Sequence, residues 1–256
     1  MRRWLLDRPE DYVLIQQASD VALASETGRL AVAFDIEGAK AIGDQISLLE
    51  NYRALAVRWM LLAYNRSNRV GGGCQDEDMG LTPFGRDVVQ EMERLDMLVC
   101  LSHTGHRTAR DVLAMAQRPV IFSHSNPATL RPYPRNIPDE LIRACAETGG
   151  VVGISGIGAF LGDNDSRSEI YARHIDHVVK LVGAPMYPSP WIMSLTSRIS
   201  TLAWPAWLIC FRLNWAIALP LLWWHPSSCL KLSPFCKVGA TKKKTLEKSS
   251  AATCCA

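Results

Sequence analysis

The chain has little charge excess. Its 28 lysines and arginines stand against 25 aspartates and glutamates, and a net +3 is too small to imply a nucleic-acid partner. No secretory leader is legible: Arg2 and Arg3 are followed only by Trp4–Leu6 before Asp7 and Arg8, so a reducing, cytoplasmic setting is the expectation. There is no disulfide framework, because Cys74, Cys100 and Cys145 lie far apart and Cys100 falls in a predicted buried strand. The glycine run 71–73 lacks the Lys-Ser/Thr of a phosphate-binding loop and reads as backbone flexibility. Carboxylates also run out, since only Glu247 follows Asp176. Tryptophan and cysteine change in the opposite sense, with two Trp and three Cys up to Ala184 and six Trp and five Cys after it. Residues 1–184 and 185–256 are therefore different material.

What is present centres on residues 97–140. Two short apolar runs, Met97–Leu101 and Pro119–Phe122, are followed by Ser102-His103 and Ser123-His124. Between them Thr108–Gln117 carries Ala109, Val112, Leu113 and Ala116 at helical spacing. Strand, helix and strand in a parallel sheet bring both histidines to one rim, where α/β proteins build their sites. Two imidazoles on one rim suit a metal, and they equally suit two hydrogen-bonded loop histidines.

The rest of 1–184 continues the alternation. Residues 1–28 read as helical, with Ser19 or Asp20 as the N-cap of the helix before Gly28. Leu30–Ile36 is a buried strand ending at Glu37-Gly38, Ile46–Leu55 a helix, and Ala56–Ala63 a strand closed by Tyr64-Asn65. Thr82–Leu95 is a helix with Pro83 in its first turn, and Ile137–Thr148 a helix begun by Pro138 and ended by Gly149-Gly150. Val151–Ser155 is the next strand and Ser166–Val182 the last helix, whose His174 and His177 read as packing or surface residues. Strict alternation means a parallel sheet, open or closed into a barrel.

FDIEGA (34–39), YN (64–65), GLTPFGRDVVQEMERLDMLVCLSHTG (80–105), PVIFSHSN (119–126) and RNIPDELIRACAETGGVVGI (135–154) resemble the renal, or membrane, dipeptidase family, peptidase family M19. The resemblance runs from about Trp4 to Ala184 and implies a (β/α)8 TIM-type barrel with two zinc ions, here incomplete. It implies that Glu37 bridges both metals and acts in catalysis, and that His103 and His124 hold the second zinc. Arg135 falls on the arginine that grips the substrate carboxylate, chemistry suited to a forked guanidinium. Tyr64 stands where vertebrate members have a substrate-binding histidine, and tyrosine can still donate a hydrogen bond. The family also implies a small peptide substrate and a homodimer.

Two family features are missing. The first strand's His-x-Asp, two ligands of the first zinc, has no counterpart, because no histidine precedes His103 and the only His-x-Asp is the helical His174-Ile175-Asp176. A late catalytic aspartate, in a D-H-V-x-[IL]-G-x-D-like segment, should begin just after Gly183, where the composition breaks. Residues 202–224 are long and apolar enough to span a membrane, but Arg212 and Asn214 sit in the middle, and a central arginine alone costs about 2.5–3.5 kcal/mol. A membrane anchor is not favoured. The codon table offers another reading. Shifting the frame from just before Met186 permits H-V-S-L-A-L-D-Y-V-F-D, close to the missing segment. The same shift over Pro234–Ala256 permits a sequence like the family's final helix. The expectation is an out-of-frame tail without a native fold.

Three functions compete on these grounds. The first is a zinc dipeptidase, impaired in this chain. The second is a non-catalytic fragment with open strand edges. The third is a metal-dependent amidohydrolase acting on other amides, an option kept open by Tyr64. Among the remaining candidates, Cys100 reads as packed rather than as a ligand, His106 as capping or solvating the next helix rather than reaching the site, and Asn65 and Asn68 as loop formers ahead of substrate contacts. Asp35 shares a strand face with Glu37 and so has a supporting role open to it.

Overall fold

The computed structural model describes residues 1–183 and the backbone of Leu208–Phe211. The elements in order are α1 (Arg2–Leu6), β1 (Tyr12–Leu14), α2 (Ala18–Glu26), β2 (Leu30–Ile36) and, after a short 3-10 turn at Ala39–Ile42, α3 (Leu48–Ala54) and β3 (Val57–Leu61). Then come α4 (Pro83–Arg94), β4 (Leu98–Cys100), α5 (His106–Met115), β5 (Val120–Ile121), α6 (Asp139–Glu147), α7 (Gly158–Leu161), α8 (Ser168–Val182) and β6 (Leu208–Phe211).

β1 to β5 pair in chain order and every one of those pairings is parallel. Successive strand residues face opposite sides, and the two sides carry separate apolar layers. Val32, Phe34, Met60, Val99 and Phe122 pack with Leu49 of α3, Val88 and Met92 of α4, Val112 of α5 and Ile142 of α6. Val13, Ala31, Ala33, Trp59, Leu61, Cys100 and Ile121 form the other layer. A doubly wound sheet reverses its strand order and covers both faces with helices. Here the order never reverses and α3 to α6 share one face, as in a barrel wall, while Ala24 of α2 packs in the second layer.

Local chemistry sets the boundaries. α4 begins where Thr82 Oγ1 accepts the Gly85 N–H at 2.9 Å and Pro83 fills a first-turn position that needs no donor. Its buried Val88, Val89 and Met92 recur at helical spacing. The chain leaves α4 through Asp96, at φ 53°, and enters β4.

Four expectations are corrected. Residues 1–28 are not continuously helical, because Tyr12–Leu14 pair with Leu30–Val32 as β1 and sheet pairing overrides local helix preference. The N-cap of α2 is Gln17, and Asp20 instead accepts the Gln16 and Gln17 N–H groups at 2.7 and 2.9 Å. Val151–Ser155 is not a strand. It makes one parallel bridge, Phe122 to Val152, after which the Asn126 amide takes both the N–H and the C=O of Ser155. The glycine run 71–73 is packed rather than flexible. A Cβ on Gly71 would come within 2.5 Å of Thr108, on Gly72 within 2.1 Å of Asp78, and on Gly73 within 2.3 Å of the Asn65 carbonyl.

The backbone of β6 runs antiparallel to β2, with Ala31 opposite Phe211. The rest of 185–256, and with it the out-of-frame reading and the membrane-span reading of 202–224, lies outside the described residues. No helix among the described residues is long and apolar enough to cross a membrane.

Candidate metal centre

Four neighbouring strands deliver the site. Glu37 follows the end of β2, Tyr64 and Asn65 follow β3, His103 follows β4 and His124 follows β5. Parallel pairing puts all these carboxyl ends on one rim. Donor atoms of Glu37, His103 and His124 lie within 4.8 Å of one another, and among the described residues this is the one group of three such donors. His103 Nε2 and His124 Nε2 are 2.8 Å apart, and His124 Nε2 is 3.6 Å from Glu37 Oε1.

Each imidazole is held from behind. His103 Nδ1 donates to Asn65 Oδ1 at 2.7 Å, which leaves its Nε2 with a lone pair. The ring is stacked by Tyr64 at 4.2 Å and 17°. His124 Nδ1 faces Ser123 Oγ at 2.8 Å, and Ser123 Oγ also accepts from the buried Cys100 thiol at 3.1 Å. The His124 backbone N–H donates to Ser102 Oγ at 2.9 Å, while Arg135 donates to the His124 carbonyl at 3.0 Å. When the Ser123 hydroxyl turns to accept, His124 also presents a bare Nε2, and two lone pairs then face one gap. A cation in that gap satisfies both. Zinc–nitrogen bonds of about 2.0–2.1 Å can span nitrogens up to about 4.2 Å apart, so the spacing fits a metal.

Electrostatics agree with the donor set. Burial, then Arg135, then His124 push His103 down to about 2. Burial and then Arg135 push His124 down to about 3. Both rings are therefore neutral, the form that binds metals. Burial, and then the nearby Glu37, raise the Tyr64 phenol, which keeps it protonated as a donor. Asp35 is buried on the same strand face as Glu37 and is raised to about 8 by burial first and Glu37 second. One of its oxygens has no hydrogen-bond partner.

Arg135 is buried behind His124, with its guanidinium 5.4 Å from the Phe160 ring centroid and its Nε unpartnered. His106 is half-buried at the first position of α5, and its Nε2 donates to the Asn136 carbonyl at 2.9 Å. His174 is buried on Leu161 O and His177 is paired with Asp139, so neither approaches the rim. Cys100 is fully buried under Ser123. Sequence reasoning missed the supporting residues. In the sequence Asn65 reads as a loop former, and Ser123 stands only as part of a Ser-His pair. The one visible signal for Ser123 was that pairing, repeated at both strand ends.

The sequence profile of the membrane dipeptidase family (peptidase family M19) matches residues 1–186. The chain belongs to the membrane dipeptidase family. Two uncharacterized dipeptidases of Schizosaccharomyces pombe are 33% and 32% identical to it, over 71% and 72% of this chain and 46% of each relative. An amidohydrolase from Pseudomonas aeruginosa superposes with TM-score 0.67 at 34% identity, over 71% of this chain and 56% of that one. A metallo peptidase from Rhodobacter sphaeroides, solved with a phosphinate mimic of the dipeptide L-Ala-D-Ala, superposes with TM-score 0.63 at 27% identity, over 67% and 52%. This family member thus spans about half the length of the curated relatives it matches.

Proposed function

We propose that this chain carries part of a zinc dipeptidase site, with Glu37, His103 and His124 as the metal ligands. The observation that carries the reading is their convergence within 4.8 Å at the ends of three strands. When bound, the metal supplies a Lewis acid that polarises the scissile carbonyl and makes water acidic enough to attack it. The protein's own part is to hold and orient. Arg135 grips the C-terminal carboxylate of the peptide, which limits substrates to short peptides. Tyr64, protonated and stacked on His103, donates a hydrogen bond to the substrate.

The intact family site has two zincs, and this chain supplies ligands on one side of it. Without the first strand's His-x-Asp and the late aspartate, it binds zinc weakly and turns dipeptides over poorly. The family match stops at residue 186, two residues past the composition break, which supports a lost or gained base near Pro185. The compartment we propose is the cytoplasm, and the assembly a homodimer of the complete protein. A second reading, hydrolysis of other amides, draws support from Tyr64 and from the amidohydrolase likeness at 34% identity.

Metal content and dipeptide turnover should be measured side by side on this chain and on one with the upstream coding sequence and shifted frame restored. The restored chain is expected to hold two zincs and to be active. Full activity of the short chain would sink the impaired-fragment reading and the frame reading together. Zinc in neither chain would sink the metal reading.

A further inference from the structure

We propose that Asn65 is a positioning residue that selects which nitrogen of His103 is free for the metal; this rests on the metal-centre reading above. A neutral imidazole has one bare nitrogen, and the partner of the other nitrogen decides which. The Asn65 oxygen accepts from His103 Nδ1 at 2.7 Å and lies 3.5 Å from the Cys74 sulfur, whose S–H also donates to it. The Cys74 S–H fixes the amide oxygen on that side, and the oxygen in turn holds the proton on His103 Nδ1. Rotated by half a turn, the amide would donate to Nδ1, force the proton onto Nε2 and close the metal position.

The backbone keeps Asn65 in reach. Its carbonyl accepts from Gln75 N–H at 2.8 Å, and the His103 carbonyl accepts from Cys74 N–H at 3.0 Å, so one loop is bonded to both residues. Gly73 approaches the Asn65 carbonyl so closely that no side chain fits between them. Asn65 and His103 both lie at positive φ, 59° and 68°, which aims the two side chains at each other across adjacent strand ends. Asparagine tolerates that conformation better than most residues, so a purely conformational reason for Asn65 competes with the positioning role.

Two substitutions separate these. Asn65→Gly keeps the backbone conformation and removes the acceptor. Asn65→Asp keeps the acceptor and tolerates the backbone. Zinc affinity of the full chain, by chelator competition, is expected to fall about 10–100-fold in Asn65→Gly and to stay near wild type in Asn65→Asp. Nitrogen-15 spectra of the metal-free chain are expected to show His103 protonated at Nδ1 in wild type and Asn65→Asp, and shifted toward Nε2 protonation in Asn65→Gly. Wild-type zinc affinity in Asn65→Gly would overturn the proposal. If the wild-type chain takes up no zinc, the metal reading fails by itself. The nitrogen-15 spectra then decide the positioning role, and an unchanged His103 in Asn65→Gly overturns it.

Discussion

The two histidines of the centre are mounted in different ways. His103 stands on a turn at positive φ, clamped between the Asn65 amide and the Tyr64 ring. The turn is itself fixed by the glycine-rich loop and by Asp78. That carboxylate accepts from Arg107 N–H, Thr108 N–H, the Thr108 hydroxyl and Gly80 N–H at 2.6–3.0 Å. Burial works upward on Asp78, yet these bonds hold it below the usual carboxylate range. His124 stands on the extension of β5, with its backbone N–H on Ser102, its carbonyl on Arg135 and its ring on Ser123. One mounting depends on close packing between loops. The other depends on hydroxyls carried by the sheet. Similar ligand geometry can thus rest on different forces, and each mounting should fail to a different substitution.

The largest effect is expected from removing a ligand. His103→Ala and His124→Ala should each take zinc binding below detection, measured by chelator competition, because two donors then remain of three. If one variant kept its zinc, the two histidines would not be equal partners. Next comes the loop mounting. Gly72→Ala would place a Cβ 2.1 Å from the Asp78 carboxylate and 2.9 Å from its Cα, so backbone must move. A loss of about 1–3 kcal/mol in urea unfolding is expected, with zinc affinity falling alongside. Gly156→Ala, whose nearest neighbour is the Tyr171 ring at 4.0 Å, should be close to neutral. Equal losses would mean that packing at the His103 turn is nothing special.

The hydroxyl mounting should give a smaller change. Ser123→Ala removes the partner of His124 Nδ1, and zinc affinity should fall about tenfold, the low end for such supporting bonds. The backbone bond to Ser102 still orients the residue. No change would mean that Arg135 and Ser102 suffice. The smallest effect is set by a cap outside both mountings. Thr82→Ala should cost about 1 kcal/mol of stability and leave zinc affinity unaltered. A drop in zinc affinity there would show that α4 feeds into the site after all.

Legibility followed the range of the forces involved. β2 matched its expected bounds, Leu30–Ile36, because a strand buried on both faces is a continuous apolar run. The start of α4 was legible because a cap is local chemistry between Thr82 and Gly85. The α/β class and the parallel sheet followed from alternation, whereas the choice of a barrel over an open sheet came from the family resemblance. β1 was hidden because three residues make a strand only through Leu30–Val32, which supply its partner bonds. Val151–Ser155 has strand composition, but after one bridge the Gly153 and Ile154 carbonyls turn to the Ser125 N–H and the Tyr171 hydroxyl, and Ser155 to the Asn126 side chain. The glycines 71–73 look like slack in a sequence, whereas the reason for them is the space taken by Thr108, Asp78 and Asn65. The Asn65–His103 bond joins residues 38 positions apart, and no local pattern encodes it.

The strand order β1-β2-β3-β4-β5 has a consequence for how the chain is made. Each strand finds its partner in the strand just synthesised, so no pairing among these five must wait for a distant segment. Paired residues lie 18 to 39 positions apart, so each closure costs less loop entropy than a pairing across the length of the chain. The wall can therefore be laid down on the ribosome in the order of translation, one helix-backed strand at a time. The rim would assemble in the same order, with Glu37 presented first, Asn65 next to receive His103, and His124 last. Nascent chains arrested at increasing lengths should gain protease resistance in steps that follow these strands.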